Sequence, residues 1–369
     1  MRIRALLIRP KDYQTRPIWE HAQPCEENEF DILSVTNDYQ ITSILNRFDP
    51  DVIVSFGEWK IRTNLIQLSY HVRRRWISLD ENANPQEIGQ AILFCYMGWV
   101  VPPSQPLVSV FTPAFENPLG ISRAYTSLLN QTWLNWEWVI VDDSEDSGMF
   151  QRFKDIIGQD HRITLWRPHR RSGRIGQVKK MACGLCVGEY LAELDHDDEL
   201  TVGCLEEVVR QFQSHPNAGM VWTDCTEVDD VTKTCHQYPE GWGFGFGSYR
   251  EEVYQGRTYQ VAQGPELNPT TIRHIVGCPN HIRVWRREAY HSLGGHNPRL
   301  PVCDDYDLIV RTWLKYEVVH SSLFGYIQWR TEGSGTFSRN REIQRLTRWL
   351  SSCYSRAIDQ RAKELEKDE

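Results

Sequence analysis

The run Glu189-Tyr190-Leu191-Ala192-Glu193-Leu194 passes directly into Asp195-His196-Asp197-Asp198-Glu199. The apolar-rich part reads as a buried strand. A strand that ends in clustered carboxylates sets like charges close together, which is unfavourable unless a cation shares the site. Asp195 and Asp197 stand two apart, so on extended backbone they point the same way. Their oxygens suit one hard cation, Mg2+ or Mn2+. The alternative is a solvated acidic turn ahead of a helix beginning near Leu200, and an isolated Asp-x-Asp does not decide between them.

The flanking pattern does. Leu107-Val108-Ser109-Val110-Phe111-Thr112 reads as a buried strand running into Pro113-Ala114. Ile121, Ala124, Tyr125, Leu128 and Leu129 then fall at helical spacing. Trp136 to Val141 is a further strand, ending in Asp142-Asp143-Ser144, and Arg162 to Trp166 is another. A helix from Gln177 to Cys186 is predicted to bury Val178, Met181, Ala182, Leu185 and Cys186. Strands alternating with helices predict an α/β fold with a mostly parallel sheet and helices on both faces. Sites in such folds lie at the carboxyl ends of the strands.

At 369 residues the chain is long enough for two domains. Ile3 to Ile8, Phe30 to Val35, Asp51 to Phe56 and Trp76 to Leu79 read as strands of a small parallel α/β layer, with a short amphipathic helix over Ile41 to Phe48. No Gly-rich phosphate loop follows the first strand, so this layer reads as an accessory domain. Three prolines between Val100 and Pro106 read as a stiff linker. The expected division is 1–101 accessory domain, 102–106 linker, 107–337 main domain and 338–369 amphipathic C-terminal helix.

The formal net charge of −8 argues against a general nucleic-acid or anionic-membrane binder. Met1 to Pro10 is charged and does not read as a secretory leader, and Ala91 to Val101 is too short to span a bilayer. These features predict a cytoplasmic protein with at most peripheral membrane contact. Cys183 and Cys186 form a C-x-x-C inside a helical pattern without a second pair at zinc spacing, and they read as buried thiols.

Taken together, Thr112-Pro113, Val141-Asp142-Asp143-Ser144, Gly188-Glu189-Tyr190, Leu194 to Asp198, Gly294-Gly295 and Cys303-Asp304-Asp305-Tyr306-Asp307-Leu308 resemble, in order, an inverting family-2 glycosyltransferase of the GT-A fold. The resemblance covers about Leu107 to Arg330. It implies that Thr112, Pro113 and Ala114 line the nucleotide, and that Asp142 or Asp143 accepts a hydrogen bond from the base, as suits uracil. Asp195 would hold the ribose or the metal, and Asp197 would ligate Mn2+ or Mg2+ at the diphosphate. Arg174 adds charge toward the phosphates. Asp305 is the implied base that deprotonates the acceptor hydroxyl, and Asp304 beside it is counted with the substrate-binding residues and is the better helix-capping candidate.

Two departures stand out. Glu332 occupies the place where the family often has a histidine; it is either a substitute oxygen ligand for the same metal or a plain loop carboxylate. Lys180 stands where the family often has Asn. Trp242, in the Gly/aromatic run Gly241 to Gly247, is a candidate to stack on the acceptor, the alternative being a loop pinned by its own aromatic rings. The implied function is metal-dependent, inverting transfer of a sugar from a nucleotide-diphosphate donor, UDP-linked, to a hydroxyl. The acceptor is open among a glycan, a lipid-linked glycan, a protein and a small molecule, with nucleic acid disfavoured. The rivals are a nucleotidyltransferase on a similar sheet and a GT-A-fold binding module without turnover.

Overall fold

The computed structural model describes residues 2–8, 29–35, 50–56, 75–79, 82–99, 105–158, 160, 162–240, 242–245, 247–274, 279–330 and 339–368. The expected helix over Ile41 to Phe48, most of the proline linker and Glu332 lie outside them. By its internal contacts the chain divides into two units, Met1–Gln105 with Gln159–Arg162, and Pro106–Gly158 with Ile163–Glu369.

The first unit holds a four-stranded parallel sheet of β1 (Arg2–Ile8), β2 (Glu29–Val35), β3 (Val52–Phe56) and β4 (Trp76–Leu79), in the order β2-β1-β3-β4. Helix α1 (Pro85–Trp99) packs Ile88, Ile92 and Cys95 against it. Its start is written locally. Pro85 takes the first helical position, Asn84 accepts from the Gln86 and Glu87 amides, and the Glu87 carboxylate returns to the Asn84 amide at 2.8 Å.

The second unit is built on an eleven-stranded sheet. Strands β5 (Val108–Ala114), β6 (Trp136–Asp142), β7 (Ile163–Trp166) and β8 (Tyr190–Glu193) form its parallel part, in the order β8-β5-β6-β7. Beyond β8 the sheet becomes mixed. The short β9 (Glu199–Leu200) and β10 (Ala218–Asp229) precede β11 (Cys235–His236) and a hairpin of β12 (Ser248–Tyr254) and β13 (Arg257–Gln263). Strand β14 (Arg283–Arg286) lies antiparallel between β8 and β10, and β15 (Glu317–Arg330) runs parallel to β10. The hairpin turns at Gln255-Gly256, both at positive φ, as a two-residue turn matched to strand twist requires.

Helices cover both faces. On one face α2 (Pro118–Leu129), α3 (Met149–Ile157) and α5 (Cys204–Ser214) bury Ile121, Leu128, Phe153, Leu205 and Phe212 against Val110 and Trp138. On the other, α4 (Ile175–Leu185), α8 (Asp304–Trp313) and α9 (Asn340–Asp368) bury Val178, Ala182, Ile309 and Leu350 against Phe111, Val139 and Trp285. Two shorter helices, α6 (Thr271–His274) and α7 (Arg287–Ser292), flank β14 in sequence. The α/β architecture with helices on both faces is the one the pattern predicts.

The face of α4 differs from the expected one. Lys179 and Cys183 are buried with Val178 and Ala182, while Met181 and Leu185 are half-buried. A charged residue sits on the core side of this helix because carboxylates wait for it there.

Candidate active site

The acidic stretch lies where the parallel strands end, and β5, β15 and α2 hold it. The amide of Leu194 donates to the Phe111 carbonyl on β5. The Tyr326 hydroxyl accepts from the Asp195 amide at 3.1 Å and donates to Asp198 at 2.8 Å. The Trp329 amide donates to the other Asp198 oxygen at 2.7 Å, and its indole N–H to Glu199 at 2.8 Å. Arg123 on α2 donates to the Asp197 carbonyl at 3.0 Å. Gly120 completes the cradle, since a Cβ there would fall 2.8 Å from both the Asp197 Cα and the His196 carbonyl oxygen. Helix α2 can approach this closely because Asn117 caps it and Pro118 begins it.

Within the stretch the carboxylates divide their work. Asp198 is buried and serves as a strut; burial and the like charges of Asp197 and Asp195 push its carboxyl well above the usual range. Burial, reinforced by the like charge of Asp195, also raises Asp197. Asp195 Oδ1 is buried and has no hydrogen-bond partner among the described residues. Lys179 Nζ stands 3.9 Å from it and His281 Nε2 stands 3.6 Å from the other oxygen.

Behind Asp195 lies a buried charge network that local sequence reading misses. Lys179 on α4 pairs with Glu193 on β8. Burial alone would lower the Lys179 pKa, but Glu193 and Asp195 outweigh it and hold the ammonium above its usual range. Arg283 on β14 donates to Glu193 Oε1 at 3.0 Å and to Asp305 Oδ2 at 3.0 Å. It also reaches His281 Nε2 at 3.2 Å. Burial pulls His281 down to about 4, with Arg283 adding to the effect, so the ring is neutral and accepts at Nε2. His281 stacks on Tyr326 at 4.7 Å, which ties the network back to the acidic turn.

Asp305 is thereby held at the edge of the same cluster, its side chain 34% exposed. Burial works to raise its carboxyl, yet Arg283 and then Lys179 outweigh that and keep it below the ordinary carboxylate value. It is an ionised, oriented carboxylate at neutral pH. Asp304 is not the helix cap expected of it: Cys303, at φ +62, takes the capping position, and no side chain caps this end. The reason is packing. The Asp304 side chain lies against α4, where a Cβ on Gly176 would fall 2.7 Å from its own Cβ. Its Oδ2 has no partner among the described residues and stands 3.9 Å from His296 Nε2.

The other expected residues are placed as follows. The Thr112 hydroxyl points into the protein, donating to the Leu194 carbonyl and accepting from Trp138; Pro113 and Ala114 end β5 beside it, both buried. Asp142 accepts from Arg167 at 2.9 Å and from the Ser144 amide at 2.9 Å. Asp143 accepts from the Ser172 and Gly173 amides at 2.6 and 2.8 Å, so it fixes the loop that delivers exposed Arg174 to the start of α4. Lys180 is directed elsewhere, to the Gly294 carbonyl at 3.0 Å. Trp242 packs between Tyr238 and Tyr249 in a separate aromatic group. Among the described residues no group of three or more His, Cys, Asp or Glu side chains is close enough to hold a metal ion, and Glu332 is not among them.

Comparison with known proteins accords with this arrangement. The family model for glycosyl transferase family 2 matches residues 109–294. The putative colanic acid biosynthesis glycosyl transferase WcaA of Escherichia coli K12 is 35% identical over 222 residues, covering 58% of this chain and 68% of that protein. A chondroitin synthase of Pasteurella multocida is 23% identical over 206 residues, covering 56% of this chain, and the chain spans only 19% of that relative's length. Among solved structures, S. aureus TarS 1–349 in complex with UDP-GlcNAc superposes with a TM-score of 0.51 at 17% identity, covering 70% of each chain, a likeness of fold. The matched region contains the acidic stretch, Lys179 and Arg283, and on this match the chain belongs to glycosyl transferase family 2.

Proposed function

We propose that the protein transfers a sugar from a nucleoside-diphosphate donor, UDP-linked, to an acceptor hydroxyl with inversion at the anomeric carbon. The observation that carries this reading is Asp305. It is ionised, aimed by Arg283, and joined through Glu193, Lys179 and His281 to the acidic turn at the strand ends. Single displacement needs a base on the face opposite the leaving group. Asp305 takes the acceptor O–H proton as that oxygen bonds to the anomeric carbon. The bond from that carbon to the diphosphate oxygen breaks, and the nucleoside diphosphate leaves.

On the donor side, Asp143 is the better placed of the paired carboxylates to meet the base imide, because Asp142 is fully enclosed and bound to Arg167. Each Asp143 oxygen keeps acceptor capacity beyond its one loop amide. Pro113 and Ala114 would flank the base, and Arg174, delivered by the Asp143-bound loop, would approach the diphosphate. The UDP assignment also draws on the nucleotide sugar named for the TarS complex.

The acidic turn fits a divalent cation. Asp195 carries a buried oxygen without a partner, and Asp197 is a second carboxylate whose charge burial disfavours. Asp195 and Asp197 would hold Mn2+ or Mg2+, with Glu332 a candidate third ligand. Such an ion supplies charge neutralisation to a departing diphosphate. The test is hydrolysis of UDP-sugars in the absence of acceptor. Slow release of UDP supports the reading, and no release from any nucleotide sugar contradicts it.

A further inference from the structure

Helix α9 changes character along its length. Its end, Asp359 to Asp368, mixes signs, with Asp359, Glu364 and Glu366 set among Arg361, Lys363 and Lys367. The part before it does not. From Ile343 to Ile358 there is no Asp or Glu, and the charged residues are Arg345, Arg348 and Arg356. Arg341 extends the run by one turn, and the acid beside it, Glu342, is engaged by Arg339 at 2.8 Å.

One side of the helix is already occupied. Ile343, Leu346, Leu350, Tyr354 and Ile358 pack into the core shared with α8. Thr347 meets Cys303 Sγ at 3.3 Å, and the Tyr354 hydroxyl donates to Asp307 at 2.6 Å. Arg273 on α6 donates to the Ser355 carbonyl at 3.1 Å and to Asp359 at 2.6 Å. These contacts fix which side faces out. At about 100° per residue, Arg341, Arg345, Arg348, Trp349, Ser352 and Arg356 fall within an arc of roughly 100° opposite the packed side. All six are exposed, and the Trp349 side chain keeps 57% of its surface in solvent. The stripe from Arg341 to Arg356 runs roughly 22 Å along the axis. None of its arginines has an acidic partner among the described residues.

Helix formation does not account for this face. Arg341 and Arg345 stand four apart, and Arg345 and Arg348 three apart, where like charges destabilise a helix. A solvated helix face ordinarily mixes signs, as the end of α9 does. The exposed indole adds apolar surface left in water. An anionic lipid surface relieves both: arginines meet headgroup phosphates, and an indole suits the boundary between headgroups and acyl chains. The net charge of −8 argues against a general binder of anions, but screening limits its reach to about 8 Å at physiological salt, so a local face acts by itself. A second copy of the same face would be repelled. Single-stranded nucleic acid calls for several rings interleaved with cations to stack successive bases, whereas this stripe has one.

We propose that the outer face of α9 docks the protein on an anionic lipid bilayer, through Arg341, Arg345, Arg348 and Arg356 at the headgroups and Trp349 at the boundary below them. The contact is with the surface, since no helix among the described residues is long and apolar enough to cross a membrane. It stands independently of the transferase reading. Because α9 packs on α8, docking keeps the helix that carries Asp305 near the lipid.

The test is co-sedimentation of the full chain with vesicles of phosphatidylcholine alone and of phosphatidylcholine with phosphatidylglycerol. Binding is expected to the anionic vesicles only, and to fall as salt is raised. A basic side chain near such a surface contributes a factor of roughly five, so the double variant Arg345→Gln with Arg348→Gln should weaken binding about tenfold or more. Trp349→Ser should weaken it as well. Arg152→Gln with Lys154→Gln removes the same charge from exposed positions on α3, across the sheet, and should leave binding at the parent level. All substituted side chains are exposed, and melting curves confirm that the variants fold. No binding to anionic vesicles at low salt overturns the proposal, as does equal loss in the α3 variant. Parent-level binding in the Arg345/Arg348 variant also overturns it. Tighter binding to a DNA oligonucleotide than to vesicles, lost in the same variant, would reassign the face to nucleic acid and overturn it too.

Discussion

Arg283 holds Asp305 by a 3.0 Å hydrogen bond while its other terminal nitrogen holds Glu193 at the same distance. One guanidinium therefore ties the proposed base to the floor of the acidic turn. Glu193 is fully buried, and burial opposes its charge; Arg283 and Lys179 together outweigh that and hold its carboxyl far below the usual range.

Replacing Arg283 is accordingly expected to cost more than one surface ion pair. Removing one partner of a buried pair leaves charge uncompensated, and about 3–5 kcal/mol is the usual scale. Arg283→Met should lose stability of that order in urea unfolding. Arg283→Lys keeps the charge without the two-pronged geometry. It should lose less stability and still transfer slowly, with kcat falling more than KM rises. A parental melt for Arg283→Met would contradict the role given to this residue.

Asp305→Asn preserves shape and removes the proton acceptor. Transfer should fall by about 10²-fold or more, the scale of a lost general base. Nucleotide affinity should stay near the parent value. Near-normal transfer in this variant would move the base elsewhere.

Asp304 gives a pH prediction with a definite sign. Burial pushes its carboxyl up to about 7, against about 3.9 in an unfolded chain. The folded state keeps a proton that the unfolded state releases between these values. This contribution to stability is fully present below about pH 4 and is lost as pH rises through 7. Asp304→Asn should therefore gain stability over the parent at pH 8, on the order of a few kcal/mol, with the gain vanishing toward pH 4. Paired urea melts across that range read it directly, and a gain independent of pH would contradict it.

Gly120→Ala tests the cradle of the acidic turn. The added Cβ would meet the backbone of His196 and Asp197, which cannot swing aside as a side-chain tip can. Overpacking of this kind costs about 1–3 kcal/mol. The variant should fold and bind nucleotide more weakly than the parent, measured by calorimetry. Parental stability and affinity together would show that the turn is not held as described.

The acidic stretch, the strands around it and the helix carrying Asp305 were legible because each is a local pattern. An apolar run ending in carboxylates, or a helical period after an acidic pair, needs only neighbours in sequence. The supporting network was not legible, for two physical reasons. Lys179 sits at core spacing with Val178, Ala182, Cys183 and Cys186, but a lysine is read as outward-facing, which turns the expected helix face toward Met181 and Leu185. Glu193 and Arg283 meet one step beyond the Ala192–Val284 pair of two antiparallel strands far apart in the chain, and no short-range signal announces such a partner. Asp304 reads as a cap from its position before the helix, whereas contact with α4 places it in the core.

The central claim is that the acidic turn binds a nucleoside diphosphate together with a divalent cation. Calorimetric titration of the chain with UDP and with GDP, each in Mn2+ and in EDTA, tests it most directly. The account predicts UDP binding in Mn2+ that is lost in EDTA and in Asp197→Ala, with GDP bound more weakly. UDP affinity equal in Mn2+ and EDTA would contradict the metal role of Asp197, and no binding of either nucleotide would leave the acidic stretch a turn without a donor.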